Sequence, residues 1–167
     1  MNYTDLEYEL FSRQFILKEY SEKVISKLNS KKIAIIGLGG IGCPLSQYLI
    51  SSGFKNLSIF DGDIIEKSNL NRQMLYSFDE IGKSKAVIAK YKLQQTNPES
   101  KIVSFSKNIN IHNLNLLKNY SIIIDTTDNW ETTKIINKYC VENSISFIFS
   151  SAVAHDIQVG LFPNKIK

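Results

Sequence analysis

Gly37, Gly39 and Gly42 hold a G-x-G-x-x-G spacing, with Gly40 between them. The first glycine permits a tight turn, the second lets backbone approach a phosphate, and the third permits close helix–strand packing. Ile33-Ala34-Ile35-Ile36 precedes them as a wholly apolar run of the buried-strand type. Pro44 follows near a helix start, where its missing N–H is harmless. That context gives the motif its meaning, because a helix N-terminus presents N–H groups and a positive dipole end to an anion. Asp61 lies 19 residues after Gly42, at the end of the next apolar run, where a carboxylate would accept hydrogen bonds from ribose hydroxyls. A glycine-rich turn serving only packing is the alternative, and Asp61 weighs against it. Up to this point the residues say nucleotide, and NAD and ATP are both open.

The polar residues beyond Asp61 separate the two. Asn69, Asn71, Arg72 and Gln73 occupy five positions of one loop, Lys85 opens a following helix, and Asp128 ends a later apolar run. Strand ends line the ligand crevice of an open α/β sheet, so Asp61 and Asp128 are expected to face one site, with Arg72 and Lys85 reaching in. These types suit a triphosphate. A carboxylate attacking an α-phosphate drives charge onto the leaving pyrophosphate, and cations placed there stabilise it. Arg grips phosphate as a fork and Lys as a point charge. Asp128 could hold Mg²⁺, which keeps waters and phosphate oxygens besides one or two carboxylates. Asp63 reads as a loop-ordering residue or as a second ribose or metal contact. The nucleophile is already ionised near pH 7, so no general base is needed. His112 and His155 lie outside these motifs and read as structural or surface residues.

The elements that must position these residues follow from periodicity. Residues 4–28 read as one amphipathic helix, with Leu6, Leu10, Leu17, Val24 and Leu28 as its apolar stripe. Strands are expected at 33–36, 57–60, 102–105, 122–124, 147–149 and 157–161. Helices are expected from Pro44 to Ser52, 83–95 and 130–142, with a short one at 112–118. Alternation of strand and helix predicts an α/β fold: a Rossmann-like, doubly wound, mostly parallel sheet over 31–167, preceded by an N-terminal helical segment over 1–30. Asp125 reads as a strand-end cap, Cys43 and Cys140 as packing residues, and Trp130 as a helix anchor rather than an adenine contact.

Composition limits the classes. The chain has 167 residues, enough for one domain with a real core. A net charge of +4 with scattered lysines gives no support to nucleic-acid binding. No apolar run approaches the length of a membrane span, and no signal core opens the chain. Two cysteines are too few for a disulfide framework or a four-thiolate zinc site, and a reducing, cytoplasmic compartment is the default.

RQFIL (13–17), GLGGIGC (37–43), DGD (61–63), SNLNRQ (68–73), GKSK (82–85) and TTDN (126–129) stand in this order and spacing over nearly the whole chain. In this the sequence resembles the adenylating domain of the MoeB/ThiF/HesA enzymes, bacterial relatives of ubiquitin-activating enzymes. The resemblance implies MgATP as the nucleotide. Asp61 would bind the ribose; Asn69, Arg72 and Gln73 would contact the phosphates or hold their loop; Lys85 would contact the β- and γ-phosphates; Asp128 would hold Mg²⁺. Arg13 matches an arginine that reaches into the partner subunit's site, so a homodimer is expected. The implied substrate is the C-terminal diglycine of a small ubiquitin-like sulfur carrier, converted to an acyl-adenylate for thiamine- or molybdopterin-type sulfur transfer. The pattern departs in one respect. Typical members continue with two CxxC pairs that bind zinc and with much of the carrier surface, and neither is in these 167 residues. The expectation is a C-terminally truncated or split adenylyltransferase, with a non-catalytic ATP-binding or dimerisation module as the alternative.

Overall fold

A computed structural model describes residues 4–164. Its centre is a six-stranded sheet in the order β3-β2-β1-β4-β5-β6. The strands are β1 (Lys32–Ile36), β2 (Asn56–Phe60), β3 (Lys101–Phe105), β4 (Ile122–Asp125), β5 (Ser146–Val153) and β6 (Asp156–Phe162). The first five run parallel, and β6 returns antiparallel beside β5. Four residues of β1 and three of β4 are buried, which is why both read as unbroken apolar runs. Helices α4 (Gly42–Ser51), α5 (Lys85–Thr96) and α6 (Trp130–Glu142) form the crossovers or flank them.

Two apolar cores lie on opposite faces of the sheet. On one, Ile33, Ile35, Leu57 and Ile59 pack with Ile50 of α4 and Ala86, Ala89 and Leu93 of α5. On the other, Ala34, Ile36, Phe60 and Ile123 pack with Ile136 and Cys140 of α6. Alternate residues of a strand point to opposite faces, so β1 serves both cores. The chain leaves β1 towards β2 and β3 on one side and passes to β4 and β5 on the other. That reversal opens a crevice at the carboxyl ends of β1 and β4, where such sheets bind ligands.

The single helix expected over 4–28 is instead three short ones: α1 (Asp5–Leu10), α2 (Ser12–Phe15) and α3 (Glu22–Asn29). Tertiary packing overrides the helical periodicity. Phe11 takes φ −104° and ψ 13° between α1 and α2, and its buried ring lies against Gly53, 3.6 Å from where a Cβ there would stand. The expected apolar stripe is also wrong for its first members. Leu6, Leu10 and Leu17 are 42%, 45% and 51% exposed, while Glu7, Phe11 and Ile25 are the buried residues. The short helix expected over 112–118 is a 3₁₀ turn at Leu114–Leu117.

Glu7 explains how an acidic residue can anchor α1. Thr4 and Glu7 form a reciprocal capping box, and Glu7 pairs with Lys55, which also reaches Glu99 at 3.2 Å. Burial would raise the Glu7 carboxyl, but Lys55 and the Thr4 donors outweigh it and hold it below 4.5. A depressed carboxylate stabilises the fold above its unfolded value, and that stability is lost as pH falls through the folded one. Glu7→Gln should therefore cost about 1–3 kcal/mol near neutral pH. In urea unfolding, the gap to wild type should close as pH falls below 4.5.

Candidate active site

The crevice is a cleft of about 990 Å³, at the upper end of the range for small-molecule sites. Gly37, Gly39, Gly40, Asp61, Asp63, Asn69, Arg72, Gln73, Lys85 and Asp128 all line it. The fold thus brings together residues from the ends of β1, β2 and β4, from the 66–73 loop and from the start of α5. Arg13 is exposed on α2 and does not line this cleft. Gly42 sits behind the lining residues, at the start of α4.

The glycine loop owes its shape to contacts from below. Gly37 takes φ +94°, the left-handed region that favours glycine. A Cβ on Gly42 would stand 2.0 Å from the Gly37 carbonyl oxygen, so this position admits glycine alone. Thr126, just past β4, donates its hydroxyl to the Gly37 and Ile36 carbonyls at 2.7 and 3.1 Å. Asp61 accepts the Leu38 N–H at 2.7 Å and the Asp63 N–H at 2.8 Å. Its carboxylate therefore orders two loops while still lining the cleft. Burial raises the Asp61 carboxyl above its usual value, against the pull of those two amides and of Lys85. Among the described residues, the N–H groups of Gly39, Gly40, Ile41 and Gly42 have no hydrogen-bond partner.

The cations take different postures. Lys85 is buried, and its ammonium pairs with Asp63 at 3.1 Å. Arg72 is exposed, lays its stem over Gly40 and donates to the Ser68 carbonyl and the Asn71 side chain at 3.2 and 3.1 Å. Asn69 is the loop's organiser. Its side-chain oxygen accepts the Glu66 N–H at 3.1 Å, and its carbonyl accepts the Arg72 and Gln73 amides at 3.2 and 3.0 Å. Gln73 is buried, and its amide oxygen has no hydrogen-bond partner. An orphaned polar atom in a site wall is costly unless a ligand or water meets it.

At the end of β4, buried Asp125 accepts from the Thr133 hydroxyl at 2.5 Å and from the Thr127 amide and hydroxyl at 2.9 and 2.7 Å. Asn129 caps α6 by accepting the Thr132 N–H at 3.0 Å. These two clamps hold Asp128 between them, exposed at the cleft and without an ion pair among the described residues. His112 and His155 are exposed and outside the cleft. Trp130 is 60% exposed, meets Phe149 edge-on and carries Lys134 over its ring, and it does not line the cleft either. Cys43 and Cys140 are both buried.

Sequence reasoning missed Asn108. It lines the cleft, accepts the Gly62 N–H at 2.9 Å and lies so close that a Cβ on Gly62 would meet it at 2.7 Å. It also missed Thr126, Thr127, Thr132 and Ser151 of the lining. Asn108, Thr126 and Thr127 follow strand ends, and the strand-end rule that selected Asp61 applies to them equally.

Comparison with known proteins agrees with this geometry. The ThiF family model matches residues 11–166. The chain is 35% identical over 153 residues to the adenylyltransferase and sulfurtransferase MOCS3 of Drosophila sechellia, covering 91% of this chain and 34% of that protein. It is 30% identical over 163 residues to the sulfur carrier protein adenylyltransferase of Thermus thermophilus, covering 97% of this chain and 60% of that one. The crystal structure of Escherichia coli MccB with MccA-N7isoASN superposes with a TM-score of 0.86 at 30% identity, over 97% of this chain and 48% of MccB. The chain thus spans about a third to three fifths of the length of these relatives. With the family model matching residues 11–166, this chain belongs to the ThiF family.

Proposed function

We propose that this chain binds MgATP in the cleft and uses it to adenylate a carboxylate with release of pyrophosphate. The carrying observation is the joint placement of the three unpaired amides of Gly39, Gly40 and Ile41, with Arg72 and Lys85, around one cleft. A polyphosphate is the ligand that would meet all of them, and the orphaned Gln73 oxygen adds a site for a donor such as a water bound to it. In the reaction, a carboxylate oxygen attacks the α-phosphorus and the bond to the pyrophosphate oxygen breaks. The amides of 39–41 and Arg72 stabilise charge on the phosphates, and Lys85 exchanges Asp63 for a leaving-group oxygen. Asp128, with Asp63, would hold Mg²⁺, whose positive charge further stabilises the leaving group.

The relatives' names support a sulfur carrier protein as the substrate, and the family resemblance implies that the carboxylate adenylated is the C-terminal diglycine of a small ubiquitin-like carrier. A homodimer in which Arg13 reaches the partner's cleft would account for that exposed arginine. A cytoplasmic, reducing setting suits the two free cysteines.

ATP–pyrophosphate exchange in the presence of a diglycine-tailed carrier tests the reading. Arg72→Ala should lower the exchange rate by about 10²–10³-fold, and exchange unaffected by that change would sink the proposal. ATP binding with no exchange for any carboxylate would favour a non-catalytic module, and NAD binding tighter than ATP would favour an oxidoreductase. A second prediction concerns the loop. Gly42→Ala should abolish ATP binding in calorimetry, because its Cβ would meet the Gly37 carbonyl at 2.0 Å. Gly40→Ala should weaken binding only a few-fold, since its Cβ would meet the movable Arg72 stem at 3.5 Å.

A further inference from the structure

Two side chains that can donate hydrogen bonds, those of Tyr76 and Cys43, are buried outside the cleft lining. Tyr76 lies three residues beyond Gln73, and Cys43 lies in the first turn of α4. The Tyr76 hydroxyl and the Cys43 thiol both donate to one oxygen, the Leu38 carbonyl, each at 3.1 Å. Both side chains belong to the apolar core on that face.

The carbonyls along the loop show why one oxygen receives two side-chain donors. Ile36 and Gly37 carbonyls are taken by Thr126, and the Gly39 carbonyl accepts the Cys43 N–H at 3.0 Å. From Ile36 to Gly39, the Leu38 carbonyl is the one taken by neither Thr126 nor a backbone donor among the described residues. A trans peptide fixes C=O and N–H on opposite sides. Turning the Leu38 oxygen down, away from the cleft, therefore turns the Gly39 N–H up into it. If that peptide rotated, the cleft would gain a carbonyl oxygen and lose an amide at the spot where a phosphate would sit. We infer that Tyr76 and Cys43 are positioning residues for nucleotide binding, which lock the Leu38–Gly39 peptide in the orientation that aims the Gly39 amide at phosphate. This rests on the reading that the cleft holds ATP. Burial pushes the Cys43 thiol up to about 11 and the Tyr76 phenol upward as well, so both remain donors at neutral pH.

The two donors share an acceptor, so their loss should be non-additive. Calorimetry of the full chain with ATP, beside NMR titration with adenosine, tests the inference. Tyr76→Phe should weaken ATP binding by about 5–10-fold, Cys43→Ala by about 2-fold, and the double variant by about 30-fold or more, as a buried carbonyl left without donors demands. Cys43→Ser retains a donor and should bind ATP as wild type does. Adenosine affinity should change by less than about twofold throughout, because it carries no phosphate for the Gly39 amide. A merely structural role would lower the melting temperature of the variants while leaving the Kd of folded protein for ATP unchanged, and that result overturns the inference. Equal losses for ATP and adenosine overturn it too. Should Tyr76→Phe fail to fold, equal ATP affinity in Cys43→Ala and Cys43→Ser would do so. Wild-type protein that binds no ATP would instead refute the underlying reading, and the inference with it.

Discussion

A backbone that wraps a polyanion must point its amides inward and its carbonyls away, although every peptide carries one of each. The loop after β1 meets this constraint with help from both neighbouring strands. Thr126, beyond β4, takes the carbonyls of Ile36 and Gly37, and Asp61, beyond β2, holds the Leu38 amide. Both reach the loop only because β1 lies between β2 and β4. The sheet order is thus a requirement of the loop. Parallel strands bring three carboxyl ends to the same edge, and the reversal of chain direction beside β1 leaves room above them.

The charges in the cleft are poised for exchange. Lys85 is buried, and an ammonium without a partner would be costly there. Asp63 supplies the partner, yet its own carboxylate is 62% exposed. A pair with one member in water is worth roughly 0–1 kcal/mol net. A polyphosphate bearing several charges would compete for Lys85 against a small opposing term and would release the Asp63 carboxylate for the proposed Mg²⁺. Arg72 is similar. Its present partners are a carbonyl and a neutral amide, both weaker acceptors than a phosphate.

Much of this was legible in the residues, for identifiable reasons. Buried parallel strands leave apolar runs such as Ile33–Ile36, and a loop that needs a positive φ and an absent Cβ leaves glycines at fixed spacing. The doubly wound, mostly parallel sheet followed from the apolar runs and their alternation with helices, and the glycine loop's place at the cleft from the spacing of Gly37 and Gly39. The N-terminal segment was misread because helical spacing records which residues could share a face, not which face meets the core. Phe11 found a niche over Gly53 and Glu7 found Lys55, so the leucines between them point outward. Asn108 escaped notice because its place after a strand end does not reveal its work, which is to accept a hydrogen bond from a backbone amide 46 residues earlier. The pairing of Tyr76 with Cys43 is of the same kind: neither residue type suggests a partner, and only folding brings both to one oxygen.

The chemistry proposed for the cleft also explains what surrounds it. Proton abstraction calls for a titratable group with a tuned pKa within hydrogen-bond reach of the reacting atom. A carboxylate nucleophile arrives ionised, and pyrophosphate leaves as an anion, so the demands are position and charge. The described residues answer in that form. Two histidines lie outside the cleft, and buried Asp125 is occupied by three donors and spends itself on holding the Thr127–Asn129 turn. Rigid placement of amides and cations is the means by which transition-state charge is stabilised without reorganisation during the reaction. In such a site the residues behind the loop matter as much as those facing the ligand, because an amide rotated away no longer binds phosphate, whatever the cations do.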